Sequence, residues 1–183
     1  MQRVRIGLVG GGMIGSTHAA VLQTIAQAMP GRLQLTAIAD PNPQTRETFQ
    51  TLYGWGAAYA DHTALLRAAP VDAVFVCTPT VHHAEVVRDL AAAGRHVFCE
   101  KPLAMSLAEA RAMHAAVQRA GVRAQIGLVL RFSAIAWVLR DLLRDAALGA
   151  PMAVLFRDDQ CFPIRGLHDT AWRADRARTA GGT

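Results

Sequence analysis

The sequence has one lysine, Lys101, although 19 of its 183 residues are lysine or arginine. An arginine keeps its proton near neutral pH, whereas a buried lysine can exchange one. Lys101 follows a short apolar strand predicted over Val97–Cys99, and Pro102 ends that strand. The lone exchangeable ammonium group therefore marks a candidate catalytic position, and chance survival in an arginine-biased chain is the alternative.

Cysteine is scarce, and long apolar runs are lacking. Cys77, Cys99 and Cys161 are odd in number and show no CxxC spacing, so the sequence predicts neither a disulfide framework nor a metal site. No apolar run reaches transmembrane length, and glycines interrupt the patch after Arg3 and Arg5, so we expect no export signal. With 52% hydrophobic residues, a soluble, globular protein is predicted, and the cysteine pattern fits a reducing cytoplasm.

The formal charge of +5 raises the question of a nucleic-acid partner. The arginines are scattered along the chain and form no run or stripe, which favours ordinary solvated surfaces. We therefore expect no nucleic-acid partner and no membrane partner.

A glycine-rich turn follows the first predicted strand, Arg3–Val9, and precedes a predicted helix that ends at Pro30-Gly31. Its G-x-G-x-x-G spacing in this context predicts a dinucleotide site, with a structural turn as the alternative. The glycines allow the tight turn, the approach of a pyrophosphate and close helix packing, and the helix N-terminus favours an anion. The predicted cofactor contacts in this turn are Gly10, Gly12, Met13, Ile14 and Gly15.

Asp40 ends the second predicted strand, 25 positions beyond Gly15. A carboxylate there accepts both ribose hydroxyls of an adenosine and repels a 2′-phosphate, which favours NAD over NADP. Arg46 is the residue that would reverse this preference. Alternatively, or in addition, Asp40 opens the turn Asp40-Pro41-Asn42-Pro43.

Strand and helix patterns alternate along the first 128 residues. This rhythm predicts an α/β fold with a doubly wound parallel sheet, as a cofactor-binding domain over 1–128. The further predicted strands are Leu33–Ala39, Ala57–Tyr59, Val71–Cys77 and Val122–Val129. Two further helices are predicted over 44–53 and His82–Ala93. Another is capped by Asp61 and runs through Arg67. The last begins with a capping box formed by Ser106 and Glu109 and runs to Ala120.

The pattern changes after Arg131-Phe132. Apolar residues at helical spacing predict an amphipathic helix that ends near Gly149, and Met152–Phe156 is predicted as a strand. Residues 157 to 183 are polar and show no clear period. We interpret 129–183 as the beginning of an incomplete second α/β domain for substrate binding and oligomerisation.

These residues together resemble the Gfo/Idh/MocA oxidoreductases. The resemblance is carried by GLVGGGMIG, the ADPNP turn, VFVCTPTVHHAEVV, HVFCEKPLA, the Arg131-Phe132 pair and Trp172-Arg173 before the final GGT. It implies a Rossmann-like domain that binds NAD(P), followed by an open-sheet α/β domain that supports the substrate and often an oligomer interface.

The resemblance also implies roles for individual residues. Lys101 matches the active-site lysine, and Thr78, Pro79 and His83 are expected near the nicotinamide and its ribose. Relatives usually continue past the GG segment into a catalytic aspartate and histidine, which this sequence lacks; His168 and Asp169 resemble that pair by type only. The cofactor contacts expected beyond the glycine turn are Asp40, Cys77, Thr78, Pro79, His83, Glu100, Lys101 and Arg131.

The implied activity is reversible hydride transfer between a nicotinamide and a carbinol of a sugar, polyol or related small molecule. Lys101 would act as the base or hold the hydroxyl for a histidine. The alternative is a non-catalytic nucleotide-binding module with a regulatory or redox-sensing role. Among the other histidines, His82 and His83 are adjacent and cannot share one helix face as metal ligands. His18, His62, His96 and His114 are predicted to be structural or exposed.

Overall fold

The computed structural model describes residues 3–145, 149–153, 155, 157 and 175–179. Within them the strands are β1 Val4–Val9, β2 Leu33–Ala39, β3 Ala57–Tyr59, β4 Ala73–Val76, β5 His96–Cys99 and β6 Ala124–Ile126. The helices are α1 Met13–Ala28, α2 Pro43–Tyr53, α3 His62–Ala68, α4 His83–Ala92, α5 Leu107–Ala120, α6 Ala134–Arg144 and α7 Arg176–Thr179. Two short 3₁₀ segments, Thr80–His82 and Val129–Phe132, precede α4 and α6.

The strands form one parallel sheet in the order β3-β2-β1-β4-β5-β6. The chain winds outward in one direction from β1 to β3 and in the other from β4 to β6, so a switch point lies between β1 and β4. In sheets of this kind, ligands bind beyond the carboxyl ends of the strands at that point. The predicted doubly wound α/β fold is confirmed.

Buried side chains form a core on each face of the sheet. One core contains Val76 of β4 and Leu90 of α4. The other contains Leu8 of β1 and Phe49 of α2. Successive residues of a strand alternate between the two cores, as expected for a sheet that helices cover on both sides.

Side-chain caps begin α3 and α5 as predicted. Asp61 Oδ1 accepts the Ala64 N–H at 2.7 Å, and Ser106 Oγ accepts the Glu109 N–H at 3.2 Å. The Glu109 carboxylate accepts the N–H of Met105 at 2.9 Å, one residue before the partner it has in a capping box. These bonds satisfy amides that a helix start leaves unpaired.

β1 begins one residue later than predicted, at Val4, and two strands are shorter than predicted at both ends. β4 spans Ala73–Val76 and not Val71–Cys77, because the Val71 N–H bonds within the preceding turn to the Ala69 carbonyl. β6 spans Ala124–Ile126 and not Val122–Val129. After Ile126 the Leu128 N–H bonds back to the Ile126 carbonyl, so the chain turns away from the sheet.

Ile25 of α1 lies off the buried face of that helix. Ala19 and Leu22 are buried, but Ile25 is 40% exposed. At 3.6 residues per turn, Ile25 lies about 120° around the helix from Ala19, so it does not share the buried face of Ala19.

The described chain beyond residue 128 adds no strand to the sheet and is mostly exposed. The predicted amphipathic helix is present as α6, but it ends at Arg144 and not near Gly149. None of its residues is buried, and Ile135 is 81% exposed. The predicted strand at Met152–Phe156 is wrong at its described residues Met152, Ala153 and Leu155, which lie outside strands and have no described strand beside them. α7, which begins after Asp175, was not predicted. Cys161, His168, Asp169, Trp172 and Arg173 lie outside the described residues.

None of the described helices is long and apolar enough to cross a membrane.

Candidate active site at the carboxyl edge of the sheet

The glycine turn connects β1 to α1, and its three motif glycines meet different surroundings. Gly10 has φ +94°, and an added Cβ would lie 2.7 Å from the Cys77 and Thr78 backbone. A Cβ at Gly15 would meet the carbonyl oxygen of Gly10. A Cβ at Gly12 would meet nothing within 4 Å. The first and third glycines therefore serve the turn itself, while the second leaves an open approach to the backbone.

The open approach leads to the start of α1. Gly12 is the N-cap of this helix and has no side chain to accept its first amides. Met13 and Ile14 lie in the first turn, whose N–H groups have no partner within a helix. Such a helix start suits an anionic group.

Asp40, at the end of β2, anchors this turn from the side. Its Oδ2 accepts the Gly11 N–H and its Oδ1 accepts the Asn42 N–H, both at 2.8 Å. The predicted turn role of Asp40 is confirmed, and the bond to Gly11 was missed. Arg46 Nη1 donates to the carbonyls of Asp40 and Pro41 at 2.7 and 3.0 Å, which places this guanidinium beside the carboxyl end of β2.

Thr78, just after β4, carries an unsatisfied hydroxyl. Its Oγ1 is buried and finds no hydrogen-bond partner within the described part of the chain. Pro79 and Thr80 follow at the start of the 3₁₀ segment, and Thr80 is buried. A buried hydroxyl without a partner is costly, and it fits a site that a polar ligand completes.

His83 holds two loops together. The residue is 1% exposed. Its Nδ1 lies 3.0 Å from the Pro102 carbonyl oxygen and 3.3 Å from that of Leu103, and its Nε2 lies 2.9 Å from the Thr78 carbonyl oxygen. Both ring nitrogens thus face backbone carbonyls, and direct contact of His83 with a ligand stays a prediction. The observed contacts join the loop after β4 to the loop after β5.

Glu100, directly after β5, is buried at 5% exposure. Its Oε1 lies 2.7 Å from His18 Nε2, and its Oε2 accepts the Lys101 N–H at 3.1 Å. Burial by itself raises the pKa of the Glu100 carboxyl. This effect is outweighed by the hydrogen bonds from His18 and from the Lys101 N–H, together with the charges of both residues, so that the pKa lies below its usual range. Glu100 is therefore an ionised carboxylate inside the protein.

Lys101 is exposed at the edge, and the bond from Lys101 to Pro102 is cis. Its amine makes no hydrogen bond or ion pair with another described residue. The Arg131 side chain is exposed as well, in the 3₁₀ segment after β6. The amine of Lys101 is thus free to meet a ligand.

The cysteines near this edge are not nucleophiles. Cys77 and Cys99 are free and buried. Burial, followed by the charge of Glu100, raises the pKa of the Cys99 thiol to about 12, and burial raises that of Cys77 as well. Both thiols stay protonated near neutral pH.

His18 is the functional candidate that the sequence interpretation missed. Its ring lies 5.4 Å from that of Phe75 and 5.1 Å from that of Phe98. The available signal was its position three residues after Gly15 and four before Leu22, on the stripe of α1 that faces the sheet. A histidine on such a stripe needs a buried polar partner, and Glu100 lies 82 residues away in sequence.

The absence of a metal site stays a prediction. His62, Glu85 and Asp89 bring ligand-type atoms within 4.8 Å of one another on the surface of α3 and α4. His62 Nε2 already bonds to Asp89 Oδ2 at 2.9 Å. Exposed acidic groups of this kind are common without a metal.

Known proteins are similar to this chain in sequence and in fold. Residues 4–128 match the family GFO_IDH_MocA, described as "Oxidoreductase family, NAD-binding Rossmann fold". The inositol 2-dehydrogenase of Rhizobium meliloti (strain 1021) is 32% identical over 163 residues, which cover 88% of this chain and 47% of that protein. The myo-inositol 2-dehydrogenase of Thermotoga maritima is 35% identical over 148 residues, 81% of this chain and 43% of that protein.

A solved structure supports the same assignment. The WlbA dehydrogenase from Bordetella pertussis, in complex with NADH and UDP-GlcNAcA, matches with a TM-score of 0.74 and 27% identity over 81% of this chain and 41% of that one. This chain spans less than half the length of these proteins. Its sheet order, glycine turn and matched residues make it a member of the Gfo/Idh/MocA oxidoreductase family, through that family's NAD-binding Rossmann domain.

Proposed function

We propose that this chain supplies the cofactor site and the active-site lysine of an NAD(H)-dependent oxidoreductase acting on a carbinol of a sugar, polyol or related small molecule. The observation that carries this proposal is the order of groups along the carboxyl edge. Asp40 follows β2, the glycine turn follows β1, Thr78 follows β4 and Lys101 lies just past β5. These four strands are neighbours in that order.

An extended dinucleotide presents its groups in the same sequence: adenosine ribose, pyrophosphate, nicotinamide ribose and nicotinamide. Neighbouring strands lie roughly 4.8 Å apart, so three intervals span roughly 14 Å. The residues present fit such a ligand. Gly12 leaves room for the pyrophosphate, and the unpartnered Thr78 hydroxyl supplies a hydrogen bond at the next strand.

Lys101 is the residue to which we assign the proton transfer. When bound, the nicotinamide takes up or returns the hydride of the carbinol carbon. The hydroxyl of that carbinol must lose its proton as the carbonyl forms, so a base is needed within hydrogen-bond reach. The Lys101 amine either accepts this proton or holds the hydroxyl oxygen for a histidine elsewhere in the enzyme.

We infer a preference for NAD over NADP from Asp40. Its carboxylate would repel a 2′-phosphate, and each of its oxygens keeps a lone pair beyond the bonds to Gly11 and Asn42. Arg46 lies beside the same strand end, so NADP binding remains the competing outcome.

Titrations with NADH and NADPH, followed by nicotinamide fluorescence, test this preference. We expect tighter binding of NADH, and a narrower gap between the two cofactors in Asp40→Asn, which loses the charge. Asp61→Asn, at a capping aspartate in α3, is the matched control and should bind both as the wild type does. Equal binding of both cofactors by the wild type contradicts the assignment to Asp40.

The substrate class rests on the relatives, two of which are named inositol dehydrogenases. The test is NAD reduction with a panel of inositols, sugars and sugar derivatives. NADH binding without turnover on any of them favours the alternative, a non-catalytic nucleotide-binding module. Family membership supports the oxidoreductase.

We also propose that 129–183 begins a second domain that contributes to substrate binding and a homo-oligomer interface. The exposed apolar residues of α6 support this, since an unburied apolar helix face commonly marks an interaction surface. The free buried thiols of Cys77 and Cys99 suit a reducing cytoplasm, where we place the protein.

A further inference from the structure

We propose that His18 is a positioning residue, which acts through its hydrogen bond to Glu100 to fix where the Lys101 amine lies against the bound nicotinamide. The inference rests on the proposed function, because it assumes that Lys101 faces the cofactor. It concerns a residue of α1 that touches neither the lysine nor, in this proposal, the substrate.

The His18 ring has little freedom. It packs against the rings of both Phe75 and Phe98, from β4 and β5, which stack on each other with centroids 4.7 Å apart. The His18 side chain is 15% exposed. A ring held on an aromatic pair points its Nε2 in one direction, toward Glu100.

Both oxygens of the Glu100 carboxylate have a partner. Oε1 is held by His18, and Oε2 accepts the backbone N–H of Lys101. Behind the carboxylate lies Gly127, where an added Cβ would come 2.8 Å from Oε1. The backbone N–H of Glu100 also bonds to the Val76 carbonyl at 3.0 Å. The carboxylate is therefore clamped from several sides.

Lys101 is joined to the Glu100 carboxylate through its backbone. The same carboxylate receives the Lys101 N–H, so its position sets the orientation of the Lys101 backbone, from which the side chain leaves the sheet. A charge-assisted bond to a buried carboxylate is stronger than a neutral one. Without His18, Glu100 loses the partner that holds Oε1, and Lys101 loses a fixed neighbour.

A purely structural pair is the competing explanation, and the chain offers a matched control for it. His62 and Asp89 form the same kind of bond, at 2.9 Å, on the surface of α3 and α4, and none of the described hydrogen bonds or ion pairs joins them to His18, Glu100 or Lys101. Loss of that bond should affect stability at most.

The single lysine makes the test specific. Acylation of Lys101 by an amine-reactive ester is followed by mass spectrometry of the peptide that carries it, with and without saturating NADH. The α-amino group lies on another peptide and serves as the internal reference. We expect NADH to slow labelling of Lys101 several-fold in the wild type, because the nicotinamide covers the amine.

His18→Leu should bind NADH nearly as the wild type does but lose most of this protection. His18→Gln, which retains a donor for Glu100, should restore it, and His62→Leu should behave as the wild type. If His18→Leu does not fold, as judged by circular dichroism, the test uses His18→Gln and Glu100→Gln. NADH should protect Lys101 from labelling in His18→Gln and should no longer protect it in Glu100→Gln.

Where the enzyme turns over, kcat of His18→Leu should fall on the order of 10²-fold with KM little changed, as expected for a misplaced reacting group. Full protection in His18→Leu, or equal loss in His62→Leu, overturns the inference and leaves the proposed function intact. Absence of protection in the wild type instead removes the placement of Lys101 at the nicotinamide, and the inference falls with it.

Discussion

The polar groups that flank β1 and β4 differ between the two edges of the sheet. At the amino edge, Arg5 of β1 and Asp72 before β4 satisfy each other: one Asp72 oxygen accepts the Arg5 N–H at 2.8 Å and Nε at 3.0 Å, and the other accepts Nη2 at 2.6 Å. At the carboxyl edge, the Thr78 hydroxyl has no described partner, and Gly12 faces open space.

This difference shows that, on the same strands, residues at one end contribute to stability and residues at the other end are available for ligand binding. At the amino edge the Arg5–Asp72 pair leaves little to offer a ligand, although the buried Nε of Arg95, before β5, has no described partner. Unpaired groups at the carboxyl edge lower the stability of the free chain, and a ligand can recover that cost. The comparison predicts that substitutions at the two edges separate stability from function.

The largest expected effect is on turnover at the carboxyl edge. Lys101→Ala should lower kcat by about 10³-fold, within the usual contribution of a positioned acid or base, and leave NADH affinity and the melting temperature nearly unchanged. Lys101→Arg should fail almost as badly, since a guanidinium keeps its charge but not its exchangeable proton. Steady-state kinetics of both variants provide the check, and wild-type turnover in Lys101→Ala removes the lysine from the mechanism.

Two glycines of the same turn should respond differently. Gly15→Ala places a Cβ against the Gly10 carbonyl oxygen and should cost about 1 to 3 kcal/mol of unfolding free energy, as overpacking does. Gly12→Ala meets open space and should change stability by less than about 1 kcal/mol, yet weaken NADH binding. Urea unfolding and fluorescence titration measure the two quantities. The opposite pattern, a stability loss at Gly12 alone, would mean that the open approach is not the phosphate site.

Thr78→Val tests the cost of the unpaired hydroxyl. Valine keeps the shape and removes a buried group without a partner, so the free chain should gain about 1 kcal/mol. NADH should bind more weakly than to the wild type. Thr36→Val, at a buried threonine whose hydroxyl does donate, to the Gln34 carbonyl at 3.3 Å, is the control and should show no gain.

The smallest effect belongs to the amino edge. The hydrogen bond from Arg5 lowers the pKa of the Asp72 carboxyl, and the charge of Arg5 lowers it further. Partial burial opposes this shift, but the pKa still lies below its usual value. A carboxyl with a lowered folded pKa adds stability above its unfolded pKa and loses it as the pH falls through the folded pKa. Asp72→Asn should therefore lower the melting temperature by a few degrees at neutral pH, and the difference should vanish in acid. A difference that grows in acid would show that Asp72 is not stabilised as a carboxylate.

Local signals in the sequence predicted much of the sheet domain. β2 and β3 have their predicted bounds, and Asp61 and Ser106 cap their helices as expected. These features depend on neighbours within a few residues, such as alternating apolar side chains and a capping oxygen.

The features that escaped prediction depend on distant partners. The His18–Glu100 bond joins residues 82 positions apart, and the Asp40 bond to Gly11 spans 29. The pairing limits of β6 and the unpartnered Thr78 hydroxyl likewise depend on what the fold places beside them. Sequence spacing identified Lys101 as a candidate, but the clamp around its backbone became visible only in three dimensions.

A structure of the protein with bound NADH tests the central claim most directly, through the distance from Lys101 Nζ to C4 of the nicotinamide. We predict that the pyrophosphate lies against the glycine turn at Gly12. We also predict that the amine lies close enough to C4 to contact the substrate hydroxyl whose carbon faces C4. A complex in which the phosphates lie elsewhere, or in which the amine points into solvent away from the ring, would contradict it.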